Sequence, residues 1–286
     1  MRISETDLIL NPDGSVYHLN LLPKHISDTI ITVGDPSRVY KVSQYFDDVE
    51  FEMNKREFIT HVGTFKGKRI TVISTGIGTD NVEIFLTEID ALVNIDLKTH
   101  EPNSRKKKLK IVRIGTSGAL QEDIPLGSHL VTNYAVGLDN LMQFYDLPMN
   151  EFERKIAADI QSKAKLPFMP YVVKGSEALK EQIGFNMISG NTVTTPGFYA
   201  PQGRQLRLAT RLPKLLDDLN YYHNKSSEFW LTNFDMETAG YYAMARLLGH
   251  EALSVNAIIA NRVKNKFSKD PDKVIDSLIK KVLERI

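Results

Sequence analysis

Runs of β-branched and aliphatic residues alternate along the chain with stretches whose apolar positions recur at helical spacing, the pattern of a sheet flanked by helices. Thr29-Ile-Ile-Thr-Val33 reads as a buried strand ending at Gly34. Phe58 to Phe65 and Lys68 to Thr75 read as a hairpin turning at Lys66-Gly67. Asp80 to Val93 has helical spacing, with Asp80 and Glu83 placed as a capping box. Leu109 to Ile114 predicts a strand ending at Gly115, and Ser128 to Val136 another. A helix over Glu151 to Lys163 follows, then strands over Phe168 to Lys174 and Met187 to Val193. Met236, Ala239, Gly240, Ala243 and Leu247 form a narrow apolar helix face whose small residues permit close packing on a sheet. Ala252 to Ala260 is strand-like, and Asp272 to Ile286 a terminal amphipathic helix. The expected fold class is α/β, with a central mixed, twisted β-sheet flanked by helices. No repeat or linker divides it, so residues 1–286 are expected to form a single domain.

Composition narrows this picture by exclusion. The absence of cysteine removes disulfide frameworks, zinc thiolate sites and cysteine nucleophiles together. The first residues carry acids where a secretory signal has its apolar core, and no run approaches the ~20 apolar residues of a membrane helix. A soluble, cytoplasmic protein with no membrane partner is expected. A net charge of +1 gives no overall attraction to nucleic acid. The basic run Arg105-Lys-Lys-Lys108 with Lys110 reads as a solvated loop.

Four polar clusters lie where strands are expected to stop, the place where α/β sheets bind ligands. Gly34-Asp-Pro-Ser-Arg38 offers a glycine for close backbone approach, free helix N–H groups and a guanidinium, although Gly-Asp-Pro is also a common turn. Arg113-Ile-Gly-Thr-Ser-Gly118 places an arginine within an apolar strand, which demands a negative partner. That partner is either an internal carboxylate or a phosphate, which the neighbouring hydroxyls and glycines suit. Thr195 to Arg204 displays Phe198, Gln202 and Arg204 on a loop fixed by proline and glycine. A ring to stack, an amide and a guanidinium match the imide edge of uracil; the alternative is a surface turn. Asn233-Phe-Asp-Met-Glu237 puts carboxylates at a helix start, where they stabilise the helix dipole or accept bonds from vicinal hydroxyls.

In this order the clusters resemble the nucleoside phosphorylase family, which includes uridine phosphorylases and hexameric purine nucleoside phosphorylases. The resemblance runs from Tyr17-His18-Leu19 to about Lys264 and includes Arg56-Glu-Phe58, Ser74-Thr-Gly-Ile-Gly78 and Asn261-Arg262. The Phe198-Tyr to Gln202-Gly-Arg204 element is its most specific part and is similar to uridine phosphorylases in particular. The resemblance implies that Gly34, Arg38, Arg113 and Thr116 bind phosphate, with Arg56 arriving from a neighbouring subunit. It implies that Phe198, Gln202 and Arg204 bind the base. Met236 and Glu237 would hold the ribose, joined by the neighbour's His18. Arg113, Arg204 and Glu237 are the residues expected to carry catalysis. No organic cofactor is implied; inorganic phosphate is the co-substrate, and a monovalent cation between subunits is a candidate at Glu57 and Asp235. The minimal active unit implied is a homodimer, and a hexamer is the alternative assembly.

Some features depart from the family. Its Gly-x-Gly commonly continues with Pro-Ser, whereas Thr79-Asp80-Asn81 follows Gly78 and brings an additional acid towards the phosphate pocket. Lys98 to Lys110 and Tyr171 to Gly184 look inserted and are expected to be peripheral. Purine-specific members carry an aspartate after the last strand, where this chain has Ala260-Asn261-Arg262. The expected reaction is phosphorolysis of uridine to uracil and ribose 1-phosphate. The alternatives are a purine nucleoside phosphorylase of the same fold and, in another class, a non-catalytic nucleoside-binding protein. A hydrolase gives no reason for three arginines in one pocket.

Overall fold

A computed structural model of the chain describes residues 2–286. Its main sheet has eleven strands: β1 (Thr29–Val33), β2 (Asp48–Lys55), β3 (Phe58–Phe65), β4 (Lys68–Ser74), β5 (Lys110–Ala119), β6 (His129–Gly137), β7 (Tyr171–Lys174), β8 (Ile188–Thr194), β9 (Asn233–Asp235), β10 (Glu251–Asn261) and β11 (Lys266–Phe267). Seven α-helices accompany them: α1 (Ser37–Ser43), α2 (Thr79–Asn94), α3 (Glu151–Lys163), α4 (Glu177–Ile183), α5 (Leu215–Asn220), α6 (Thr238–Leu248) and α7 (Pro271–Arg285). The fold is α/β with a central mixed sheet flanked by helices, as the alternation of patterns predicts.

Alternate residues of β1 explain the layering. Ile30 packs with Phe85, Ile89 and Ala243 of α2 and α6 on one face. Ile31 and Val33 pack with Val39 of α1 and Ile279 and Val282 of α7 on the other. A strand covered on both faces carries apolar residues on both, which is why Ile and Val fall at consecutive positions in β1 and the first half of β5.

The sheet departs from the sequence reading beyond Ile114. Gly115 does not end the strand: β5 continues to Ala119, pairing in parallel along its whole length with Glu251–Asn261 of β10 and, at Gly118 and Ala119, antiparallel with β9. Because β10 also pairs with β6, and β8 joins β6 to β9, the strands β5, β9, β8, β6 and β10 close into a ring. β5 therefore leaves β1 after Ile114 and joins the ring, opening a space between the two parts of the sheet.

Three further expectations are corrected. The capping box at Asp80 and Glu83 is absent. α2 starts after Gly78, whose φ of 99° suits glycine, with no side-chain cap, and Glu83 instead accepts from Tyr145 at 2.5 Å. The stretch from Tyr171 is not peripheral, because β7 belongs to the main sheet with Tyr171, Val172 and Val173 buried. The strand expected from Phe168 begins only at Tyr171, after Pro170. No helix among the described residues is long and apolar enough to cross a membrane.

Candidate active site

The open side of β1, β4, β5 and β9 borders a cleft of about 770 Å³. Its walls include Gly34, Arg38, Arg113, Thr116, Met236 and Glu237 together with Phe198, Gln202 and Arg204. Glu57 and Asp235 also reach it. The cleft therefore unites residues from nearly the whole length of the chain.

At its deep end, the parallel strands deliver their following loops side by side. Gly34 abuts the loop after β4 so closely that an added Cβ would lie 3.2 Å from the Gly76 carbonyl oxygen. Arg38, in the first turn of α1, reaches the cleft; burial depresses its pKa, and Asp35 and Arg113 are the charged groups that act on it most.

Arg113 is almost entirely buried. Its Nη1 lies 3.2 Å from Asn256 Oδ1, 3.3 Å from Asp235 Oδ2 and 3.5 Å from Ser254 Oγ. Its Nη2 donates to Glu237 Oε2. The internal carboxylate and the ligand-facing position are thus not alternatives: Arg113 has both. Gly115 makes this possible, since a Cβ there would stand 2.0 Å from Arg113 Nη1. Burial alone would lower the Arg113 pKa, but Glu237 and Asp235 outweigh it and hold it above its ordinary value. Burial pushes the Glu237 pKa up and Asp235 adds to that, against the pull of Arg113. Glu237 is further fixed by the Gly78 N–H, 2.9 Å from its Oε1.

At the other end, the loop after β8 carries Phe198, Gln202 and Arg204. Arg204 donates to Gln202 Oε1 at 2.6 Å, and its guanidinium lies 3.6 Å from the Phe198 ring centre. Desolvation, with Arg262 nearby, pushes the Arg204 pKa down to about 10, so it stays charged at neutral pH. Gln202 is buried, and its Nε2 donates to Thr195 Oγ1 at 3.0 Å and towards the Asp235 carbonyl at 3.4 Å. Both Gln202 N–H bonds are thus used internally, and only Oε1 keeps a lone pair for a ligand.

Two expected residues stand outside the cleft of their own chain. His18 Nδ1 pairs with Glu88 Oε1 at 2.6 Å, and Arg56 lies in the β2–β3 turn. They share one surface, since the Arg56 guanidinium lies 5.9 Å from the ring centre of Tyr17. Asp80 is exposed and is not part of the cleft wall, which Asn81 joins instead.

The Asp235 carboxylate is already engaged within the chain. Its Oδ1 accepts from Thr194 Oγ1 at 2.7 Å and from the Glu237 N–H, and its Oδ2 from Thr238 and Arg113. No cluster of three or more His, Asp and Glu suited to a metal occurs among the described residues. Sequence reasoning misses Asn256, Thr194, Thr238 and Phe267 at or beneath the cleft, and Glu88 under His18. Asn256 has a usable signal, a polar side chain inside an apolar strand; the threonines have none.

A fold that gathers two arginines, threonine and glycine-rich loops at one end of a cleft, with a ring, amide and third arginine at the other, can be compared with known proteins. A family model described as the phosphorylase superfamily matches residues 28–284, and the chain belongs to that superfamily. It is 30% identical over 265 residues to a uridine phosphorylase of Thermococcus kodakarensis, covering 91% of this chain and 83% of that one. It is 26% identical to a DeoD-type purine nucleoside phosphorylase of Buchnera aphidicola, covering 95% and 99% respectively. The solved structure of a Trypanosoma brucei nucleoside phosphorylase with uridine phosphorylase activity matches with a TM-score of 0.91 at 28% identity, over 98% of this chain and 99% of that one. The chain is accordingly an enzyme of the pentosyltransferase class.

Proposed function

We propose that the chain catalyses phosphorolysis of pyrimidine nucleosides, with uridine and phosphate giving uracil and ribose 1-phosphate. The observation that carries this reading is the Arg204–Gln202 pair at 2.6 Å, lining the same cleft as Arg38 and Arg113. Arg204 supplies donors for a pyrimidine carbonyl, and the remaining lone pair of Gln202 Oε1 suits the N3–H. Asn261 argues against a purine-protonating acid, since its Nδ2 donates to the Gln121 and Ile124 carbonyls and its Oδ1 accepts from the Val263 and Lys264 N–H groups.

In this mechanism Gly34, Arg38, Arg113 and Thr116 bind phosphate below the ribose, joined by Arg56 of a neighbouring subunit. Glu237 and Met236 fix the sugar, and a neighbour's His18 reaches its 5′-hydroxyl. As the C1′–N1 bond breaks, its electron pair passes to the base and C1′ becomes oxocarbenium-like. A phosphate oxygen then bonds to C1′ on the opposite face. Arg204 stabilises charge that grows on the base only as the bond breaks, which lowers the barrier rather than the ground state. Glu237 contributes orientation. Uracil leaves as an anion and takes its proton from water, so no general acid is needed.

Uridine should release uracil in phosphate buffer and not in phosphate-free buffer; equal rates in both would make the enzyme a hydrolase. Uridine should be preferred to inosine by orders of magnitude, because the wrong base leaves Arg204 and Gln202 unpaired. The homodimer is proposed as the minimal active unit. Mixing inactive His18→Ala and Glu237→Ala enzymes after subunit exchange should restore activity, since one site per heterodimer carries neither change.

A further inference from the structure

We infer that Asp235 is a positioning residue for phosphate: it is the permanent counter-ion that holds Arg113 in place when Glu237 turns to the sugar. The inference rests on the proposed role of Arg113 as a phosphate ligand and adds a function for a carboxylate that does not itself reach the reacting atoms.

The two carboxylates around Arg113 are held differently. Asp235 is buried at the end of β9, and both its oxygens are occupied. Thr194 of β8 donates to Oδ1 at 2.7 Å, the Thr238 hydroxyl donates to Oδ2, and the Thr238 N–H lies 3.2 Å from Oδ2. Thr238 opens α6, so strand and helix are tied to the same side chain. Among the described residues, Glu237 has one backbone donor, Gly78, and one side-chain donor, Arg113. It therefore has a carboxylate oxygen to give to ribose hydroxyls once Nη2 of Arg113 takes an incoming anion.

Charge makes the division necessary. A guanidinium with two carboxylates carries a net negative charge in a buried site that must accept a phosphate. If Glu237 were the sole partner, no group of the protein would hold Arg113 while Glu237 gave way to phosphate, and the buried guanidinium would pass through an unpaired state. With Asp235, Asn256 and Ser254 retaining Nη1, only Nη2 has to change partners. The threonine hydroxyls keep Asp235 from following the guanidinium outward.

The test is steady-state kinetics with inorganic phosphate varied at saturating uridine, then uridine varied at saturating phosphate. Asp235→Asn keeps the shape but turns an amide donor or a neutral oxygen towards Arg113. It should raise KM for phosphate about tenfold or more, with KM for uridine changed less than about threefold. Saturating phosphate should recover kcat to within about threefold, which a general loss of structure would not allow. Thr238→Val and Thr194→Val remove one donor each and should move phosphate KM the same way by a smaller factor. They carry the test if Asp235→Asn does not fold. An unchanged phosphate KM in all three, whether or not the thermal midpoint falls, would overturn the inference and leave Asp235 as a helix-anchoring residue. A potassium or sodium dependence of the wild type that Asp235→Asn abolishes at constant phosphate KM would also overturn it, in favour of a cation ligand. Arg113→Lys separates this inference from the reading beneath it. If its phosphate KM is also normal, the proposed phosphate site itself is wrong.

Discussion

Arg113 and Arg204 line the same cleft, and the chain secures them in opposite ways. Arg113 stands in a strand paired on both sides, is 5% exposed, and meets four side-chain acceptors. Arg204 follows the left-handed Gly203 on a loop, and its partners are the Phe198 carbonyl, Gln202 Oε1 and the face of a ring that is itself 50% exposed. The first charge is raised in pKa by its carboxylates; the second is pushed down to about 10. The deep end is preassembled by long-range sheet pairing, so changes there act on the fold and on chemistry together. Arg204 itself is held by contacts within its own loop, so its removal should act on chemistry far more than on the fold.

Removing the strand-borne charge should have the largest effect. Arg113→Ala should lower kcat/KM on the order of a thousandfold. It should also cost about 3–5 kcal/mol in urea unfolding, because Asp235 and Glu237 remain buried without a cation. Glu237→Gln should likewise abolish most activity but shift stability the other way, raising the thermal midpoint by roughly 2–4 °C at neutral pH. The sign follows from the Glu237 pKa being raised in the folded protein. A raised carboxyl favours folding in its protonated form, fully so below the ordinary carboxylate range, and loses that contribution as pH rises through the raised value. The gap between variant and wild type should therefore widen with pH across that window. If the Glu237→Gln enzyme is less stable than wild type at pH 7, Arg113 needs both carboxylates.

The loop-borne charge comes next. Arg204→Ala should lose about 2–4 kcal/mol of transition-state stabilisation in kcat/KM, with thermal midpoint changed less than about 2 °C. A large loss of stability would show that the loop is as deeply integrated as β5 and would remove the contrast between the two ends.

The same contrast decides how much can be read from sequence. Arg113 is visible because a charge among Ile and Val contradicts its local pattern, and Phe198, Gln202 and Arg204 because proline and glycine frame them. The elements are visible wherever one period holds for a whole segment, as in α3 and β10. What stays hidden depends on pairing between distant segments. Nothing local to Gly115 says that β5 continues to meet β9, so the ring cannot be foreseen. Thr194 and Thr238 look like ordinary strand and helix threonines until Asp235 lies between them. Asp80 and Glu83 have capping spacing, but the N-terminus of α2 is set by Gly78 and its bond to Glu237.

The smallest effect should come from Phe198, and it tests the outer end most finely. Its ring supports Arg204 from one face at 3.6 Å and meets Tyr199 edge-on at 5.4 Å between centres. A cation over an exposed ring contributes about 0.5–1 kcal/mol. Phe198→Ala should therefore raise KM for uridine roughly threefold to fivefold and change kcat less than about twofold, since the ring meets a base already planar in the ground state. Phe198→Leu restores apolar contact without the ring's quadrupole, so its KM should fall between wild type and Phe198→Ala. If Phe198→Leu equals wild type, packing alone positions the base. If kcat falls as far as in Arg204→Ala, the ring and the guanidinium act as one unit, and the outer end is as tightly coupled as Arg113 is to its carboxylates.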